Sequence, residues 1–336
     1  MRVLLICNYK PGVGGISGQV DILQRKLRSE GHTADIFSTK ASVLKRLLIP
    51  RKLRKVARSY DVLHIHCCSG WGFLPAVVGV TVGRRLKKHM VLTYHGGGGE
   101  RFFDKHTRLV KHYLTRTDAN IVLSGFLAKV FDKHQLHYTI IPNIIELDES
   151  HYRERTSIQP NFICVRAHEP LYNIPCILRA FQKVLTEIPE ATLTLVGSGS
   201  EHEVLMAMVK EMELKNVSFT GRVDNKEIYR YLDMADIMLS APKVDNMPVS
   251  LLEAMNAGLL VISSNVGGVP YMIDDGRTGI LCESDNDCQL AEKILWAMNH
   301  PEESISIIHR AHNNLAQYRW ESIRKNIYKT YGYESI

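Results

Sequence analysis

The sequence predicts an α/β protein made of two similar domains, each a parallel sheet wrapped by helices. Short apolar runs of strand length alternate with amphipathic segments of helix length. That rhythm runs through once, pauses at an acidic-polar stretch near 148–157, and then starts again. Length agrees: 336 residues exceed what one ordinary core supports and fit two domains of about 150 residues each.

In the first series the expected strands fall at 3–7, 34–38, 62–66, 90–94, 120–123 and 139–141. The second series falls at 162–165, 192–196, 217–220, 236–240, 260–263 and 279–282. Strands separated by helices pair in parallel, which gives two Rossmann-like domains facing each other across a cleft, with ligands at the carboxyl ends of the strands. The expected division is 1–155, 156–310, and a helical tail at 311–336 around Trp320 that can cross back to the first domain.

The run Arg2-Val-Leu-Leu-Ile-Cys7 is too short for a signal peptide and reads as a first strand. The longest apolar stretch, starting at Trp71, is interrupted by Gly and Pro and too short to span a bilayer. Seven cysteines show no C-x-x-C or zinc-like spacing, and Cys7 and Cys164 sit in apolar strands as buried thiols. A reducing cytoplasm is the expected location. Residues 1–150 hold 24 Lys and Arg against 11 Asp and Glu, the remainder 18 against 24, so the net +7 divides into +13 and −6. An acidic partner for the first half is the consequence.

After the first strand, Gly12, Gly14, Gly15 and Gly18 form a glycine loop. A dinucleotide fingerprint begins directly after its strand, whereas Pro11 and other residues intervene here. A looser loop whose backbone approaches a diphosphate fits better, and a plain flexible turn is the alternative. Residues 40–58 carry Lys40, Lys45, Arg46, Arg51, Lys52, Arg54, Lys55 and Arg58 with no acid among them and with aliphatic residues interleaved. Such a segment either rests on an anionic membrane surface or is a solvated helical face, broken in two at Pro50. Without aromatic interleaving or a known motif it does not read as a nucleic-acid site.

His95 stands at a strand's carboxyl end before four glycines, whereas His64 and His66 read as structural. The fifteen histidines show no ligand grouping, so no metal is expected. In the second half, Arg166 ends one strand and Gly197 begins the turn after the next. Asp245-Asn-Met-Pro-Val-Ser-Leu-Leu-Glu253 then brings two carboxylates to one short helix, with Asp245 or Asn246 as its cap, Pro248 in its first turn and Gly258 at its exit. A helix N-terminus attracts phosphate and carboxylates accept hydroxyls, a combination suited to a nucleotide-sugar. A capped surface helix with incidental acids is the plain alternative.

These residues resemble the retaining nucleotide-sugar glycosyltransferases of the GT-B fold, family four. The match is most specific in Phe219-Thr-Gly-Arg-Val223, Tyr231-Leu-Asp-Met-Ala-Asp236, the acid-x7-Glu motif and Gly267-Gly-Val-Pro270, with Ile141-Pro-Asn143 and Gly14-Gly15 in the first half. The resemblance implies a UDP- or GDP-sugar donor, a glycan or polyprenyl-linked acceptor, retained anomeric configuration, and neither metal nor cofactor. It implies that Glu253 accepts from the ribose hydroxyls, Asp245 holds sugar hydroxyls, and Val249 and Ser250 offer amides to the phosphates. Arg166 would neutralise the departing diphosphate, Gly14, Gly15 and Gly197 would line the donor, and His95 would touch the sugar. Three departures stand out: Asp245 where Glu is usual, no Glu-Lys-Gly after Arg166, and Tyr271 after Gly-Gly-Val-Pro. Lys243 is the candidate replacement for the missing phosphate cation. A nucleotide-sugar epimerase of the same fold, and a degenerate sugar-binding or scaffold member, are the competing readings.

Overall fold

A computed structural model describes residues 1–12, 15–42, 46–146, 151–224 and 227–333. The described residues form two compact units, Met1–Glu146 with Gln317–Ile336, and Leu147–Ala316. All twelve expected strands are present. The first unit holds β1 (Arg2–Cys7), β2 (Thr33–Ser38), β3 (Val62–Cys67), β4 (His89–Tyr94), β5 (Ala119–Val122) and β6 (Thr139–Ile140). The second holds β7 (Asn161–Val165), β8 (Thr192–Val196), β9 (Val217–Gly221), β10 (Ile237–Ser240), β11 (Leu260–Ser264) and β12 (Ile280–Cys282). Their orders are β2-β1-β3-β4-β5-β6 and β12-β11-β10-β7-β8-β9, every pairing parallel.

The strands read as unbroken apolar runs because both sheet faces are covered. In β1, Leu4 and Ile6 join one core cluster, while Val3, Leu5 and Cys7 join another with Val20, Leu23 and Leu27 of the helix Ile16–Ser29. The second cluster also takes in Trp320, Ile323 and Ile327 of the tail helix Trp320–Thr330. Trp320 Nε1 (2.6 Å), Arg324 Nη1 (3.1 Å) and the Tyr328 hydroxyl all donate to Glu30. In the second unit Phe162, Leu193, Ile237 and Leu260 pack on Ile177 and Phe181 of the helix Ile174–Glu187.

Two sequence expectations change in the structure. Arg153 and Arg155, placed in the first domain by the 155/156 division, are bound into the second unit. Both pair with the buried Asp236, whose Oδ2 also accepts from the Gln159 N–H at 2.7 Å. The basic segment is interrupted as expected, but just ahead of Pro50: residue 46 is helical, 47 and 48 form a turn, and Pro50 sits in the first turn of the next helix, Ile49–Ala57, where its missing N–H has no intrahelical partner to lose. That helix buries Ile49, Leu53 and Ala57 and exposes Arg51, Lys52, Arg54 and Lys55. Cys7 and Cys164 are buried thiols, each pushed up to about 12 chiefly by desolvation.

Each sheet has one point where the chain, having laid strands to one side, returns to the other. In the first sheet it falls between β1 and β3, in the second between β7 and β10. The crevice beyond the strand ends at such a point is where parallel sheets place ligands.

Candidate active site

Arg166 leaves the end of β7, and Asp245 lies on the loop after β10, so the two residues flank the switch point of the second sheet. They form an ion pair, Arg166 Nη1 to Asp245 Oδ2 at 3.1 Å, with both side chains largely buried. The guanidinium also lies 5.1 Å over the Tyr172 ring, within cation–π range, and donates weakly to Ser240 Oγ at 3.4 Å. Its Nε is buried with no hydrogen-bond partner among the described residues. A fully desolvated donor without an acceptor is costly, and such orphans concentrate where a ligand supplies the missing atom.

The helix Val249–Asn256 begins beside this pair, and its start corrects an expectation. Neither Asp245 nor Asn246 is the N-cap: that residue is Pro248, and among the described residues no side-chain cap hydrogen bond is made to the first N–H groups. Asp245 Oδ1 instead accepts from the backbone N–H of Asn246 at 2.8 Å, which fixes the carboxylate on its own loop. The uncapped amides of Val249 and Ser250 therefore keep the partial positive charge of a helix N-terminus. Ser250 Oγ is buried and also lacks a partner. Gly258, at φ 76°, provides the expected left-handed exit.

Glu253 lies one turn into this helix; its carbonyl accepts from the Ala257 N–H at 3.0 Å, but its carboxylate makes no hydrogen bond or ion pair among the described residues. Desolvation pushes its carboxyl up to about 7, with the positive charge of Arg166 acting in the opposite direction. Lys243 does not join the group; it is exposed, with Nζ 4.0 Å from Asp285 Oδ2.

Glycines let the backbone close around these side chains. A Cβ on Gly197 (φ 145°) would stand 1.9 Å from the carbonyl oxygen of Arg166. On Gly267 (φ 55°) it would stand 2.0 Å from that of Asp245, which also accepts from the Gly268 N–H at 2.9 Å. Gly267→Ala is therefore expected to destabilise the chain by about 1–3 kcal/mol and to displace Asp245. A lowered unfolding midpoint with weakened nucleotide binding would show it; an unchanged midpoint would mean the loop relaxes freely.

The remaining candidates lie in the first unit. Gly14 falls outside the described residues. Gly15, at φ 69°, stands at the N-cap of the helix Ile16–Ser29, which has no side-chain cap. His95 follows β4, and its Nε2 lies 3.0 Å from His66 Nδ1, with the two rings stacked. Burial holds His95 down at about 4 and His66 well below the usual range, so both are neutral at pH 7. His64 is structural as expected, bound to Thr93 Oγ1 at 2.8 Å and the Tyr331 hydroxyl at 2.7 Å. The link from His66 to His95 was not legible in sequence, although both follow or end neighbouring strands. Tyr172 under Arg166 was likewise missed; an aromatic six residues after a strand-end arginine is too common a pattern to flag it.

Comparison with known proteins bears on the family and the fold. The family model described as Glycosyl transferases group 1 matches residues 150–314, and the one described as Glycosyltransferase Family 4 matches residues 38–149. N-acetyl-alpha-D-glucosaminyl L-malate synthase of Bacillus anthracis is 26% identical over 86% of this chain and 79% of its own length. Alpha-monoglucosyldiacylglycerol synthase of Acholeplasma laidlawii is 23% identical over 88% of this chain and 87% of its own. In fold, the chain resembles Anabaena HepE in complex with UDP-glucose, with a TM-score of 0.81, 17% identity and 99% of each chain covered. Sucrose-phosphate synthase from Thermosynechococcus elongatus gives a TM-score of 0.82 at 18% identity, with 98% of each chain covered. With one model matching each half of the chain and the GT-B fold common to these neighbours, the chain belongs to the family four glycosyltransferases.

Proposed function

We propose that this glycosyltransferase moves a hexose from a UDP- or GDP-linked donor to a glycan or lipid-linked glycan, with retention and without a metal ion or cofactor. The observation that carries the reading is the group at the second switch point. Arg166, the uncapped amides of Val249 and Ser250 and the unpaired Ser250 hydroxyl offer donors to phosphate, while Asp245 and Glu253 offer acceptors to hydroxyls. As the bond from the anomeric carbon to the diphosphate oxygen breaks, the electron pair leaves with the diphosphate. Preorganised donors at that position lower the barrier because the charge grows where they already point. Within the first unit, His95, neutral and held by His66, is the candidate sugar contact and Gly15 the candidate phosphate contact. Of the relatives, the alpha-monoglucosyldiacylglycerol synthase fits a lipid acceptor, whereas the N-acetyl-alpha-D-glucosaminyl L-malate synthase is named for a malate product.

A membrane-borne acceptor also gives the basic segment a use. Arg51, Lys52, Arg54 and Lys55 point away from the core on one short helix, each worth about 1 kcal/mol near an anionic surface. No helix among the described residues is long and apolar enough to cross a membrane, so such contact would be peripheral.

The decisive test is a thermal-shift panel of UDP, GDP, ADP and their sugars, with and without EDTA. One nucleotide family should raise the unfolding midpoint by binding the native state, and EDTA should leave the shift unchanged. No shift with any nucleotide would overturn the reading. Conversion of a donor sugar without any acceptor would favour the epimerase, and tight binding without turnover on any acceptor the degenerate member.

A further inference from the structure

The second site is in the first unit, at the switch point between β1 and β3. A pocket of about 410 Å³ there is lined by Asn8, Lys10, Ser17, Lys40, Arg46 and Trp71, among others. Among the described residues, three cations line it and no carboxylate does. Its frame is fixed by hydrogen bonds between loops that leave three neighbouring strands. Asn8, after β1, donates through Nδ2 to the Trp71 carbonyl at 3.4 Å and accepts from Thr39 Oγ1, after β2, at 2.5 Å. The Lys10 N–H donates to the buried Ser17 Oγ at 3.0 Å.

Trp71 is 77% exposed, and its ring is held by the Arg46 guanidinium 4.8 Å from its centroid. The core does not need an indole presented this way. A flat, electron-rich face beside a cluster of cations suits a sugar ring whose C–H groups stack on the indole and whose charged substituent meets the cations. The volume is within the range of small-molecule sites.

We propose that this pocket binds the acceptor, and that the acceptor is a sugar bearing a phosphate: Lys10, Lys40 and Arg46 take the phosphate and Trp71 the sugar face. This rests on the transferase reading above and names the acceptor class for it. The phosphate belongs either to a soluble sugar phosphate or to a lipid headgroup. Leu47 and Leu48, 83% and 50% exposed and next to Arg46 in the chain, favour the lipid.

The test measures binding to the full chain of inorganic phosphate, glucose 1-phosphate, glucose, and phosphatidylcholine vesicles containing either phosphatidylinositol or phosphatidylglycerol. Wild type should bind glucose 1-phosphate or the phosphatidylinositol vesicles, and whichever binds identifies the source. The Lys40→Gln/Arg46→Gln variant should weaken that binding by roughly tenfold or more, as expected for losing charged hydrogen bonds. Trp71→Ala should weaken the sugar-bearing probe but not inorganic phosphate. All three altered residues are at least partly exposed, so the variants should fold, and UDP or GDP shifts should match wild type. The inference fails if wild type binds neither probe, if the variants bind as wild type does, or if neutralising two exposed cations that do not line the pocket, Lys105→Gln/Arg108→Gln, loses as much. If wild type binds no nucleotide, the transferase reading falls on its own. If nucleotide binds and the pocket variants are indifferent, only the pocket assignment falls.

Discussion

Replacing Arg166 by alanine is expected to lower kcat by about 10²–10³ while changing KM for the donor far less. That range is typical for removing one preorganised donor from a site where charge develops in the transition state. The geometry explains why the loss should fall on kcat. Before reaction, Asp245 at 3.1 Å already compensates the guanidinium, so its attraction for an incoming phosphate is partly spent within the protein. As the diphosphate departs and gains charge, the balance tips toward the leaving group. An interaction stronger in the transition state than in the ground state appears in kcat. Arg166→Lys should recover only part of the rate, because an ammonium cannot reproduce the planar contact with Tyr172 or the fork toward Asp245 and Ser240. Asp245→Asn provides the control: it frees the guanidinium and should tighten nucleoside-diphosphate binding even as turnover drops. Steady-state diphosphate release and nucleotide binding on the three variants check this. Equal rates for wild type and Arg166→Ala would remove Arg166 from the chemistry.

Much of this was legible in the sequence, for identifiable reasons. Strands buried on both faces leave apolar runs, and all twelve could be placed from them. Gly258 at a left-handed helix exit and Arg166 at a strand end follow from local chemistry. What spacing could not give was anything decided by long-range closure. The start of the 249–256 helix does not follow from local capping, because the loop before it is held by Gly267 and Gly268 against the Asp245 carbonyl, a contact between separate loops. The pairing of Arg166 with Asp245 joins two strands that meet only because the sheet reverses between them. The domain division missed Arg153 and Arg155 because their acid, Asp236, lies far along the chain. Lys243 is near Asp245 in sequence, yet its side chain reaches toward Asp285.

Glu253 makes the second strong prediction, in which stability and binding move in opposite directions. Its carboxyl is pushed from 4.5 to about 7 in the folded chain, so the native state holds this proton more tightly than the unfolded chain does. The associated stability is fully present below pH 4.5 and is lost as pH rises through 7, where the folded protein must carry a desolvated charge. On the scale of 1.36 kcal/mol per pH unit, the effect by pH 8 is on the order of 3 kcal/mol. Glu253→Gln removes the titration, so the variant should be more stable than wild type at pH 8 and nearly equal at pH 4.5. A hydroxyl donated to a carboxylate makes a stronger bond than one donated to a neutral group. Donor binding should accordingly strengthen in wild type as pH rises through 7, with about half a proton released on binding at pH 7 and close to one below about pH 6, and Glu253→Gln should abolish both that slope and most of the affinity. Thermal unfolding and calorimetric titration of the donor from pH 5 to 8.5 test the two halves together. If the variant matched wild type in both, Glu253 would be an ordinary helix residue; a variant less stable at pH 8 would make it a structural one. A gain in stability paired with a loss of binding would mark a carboxylate held at a cost to the fold because the ligand requires it.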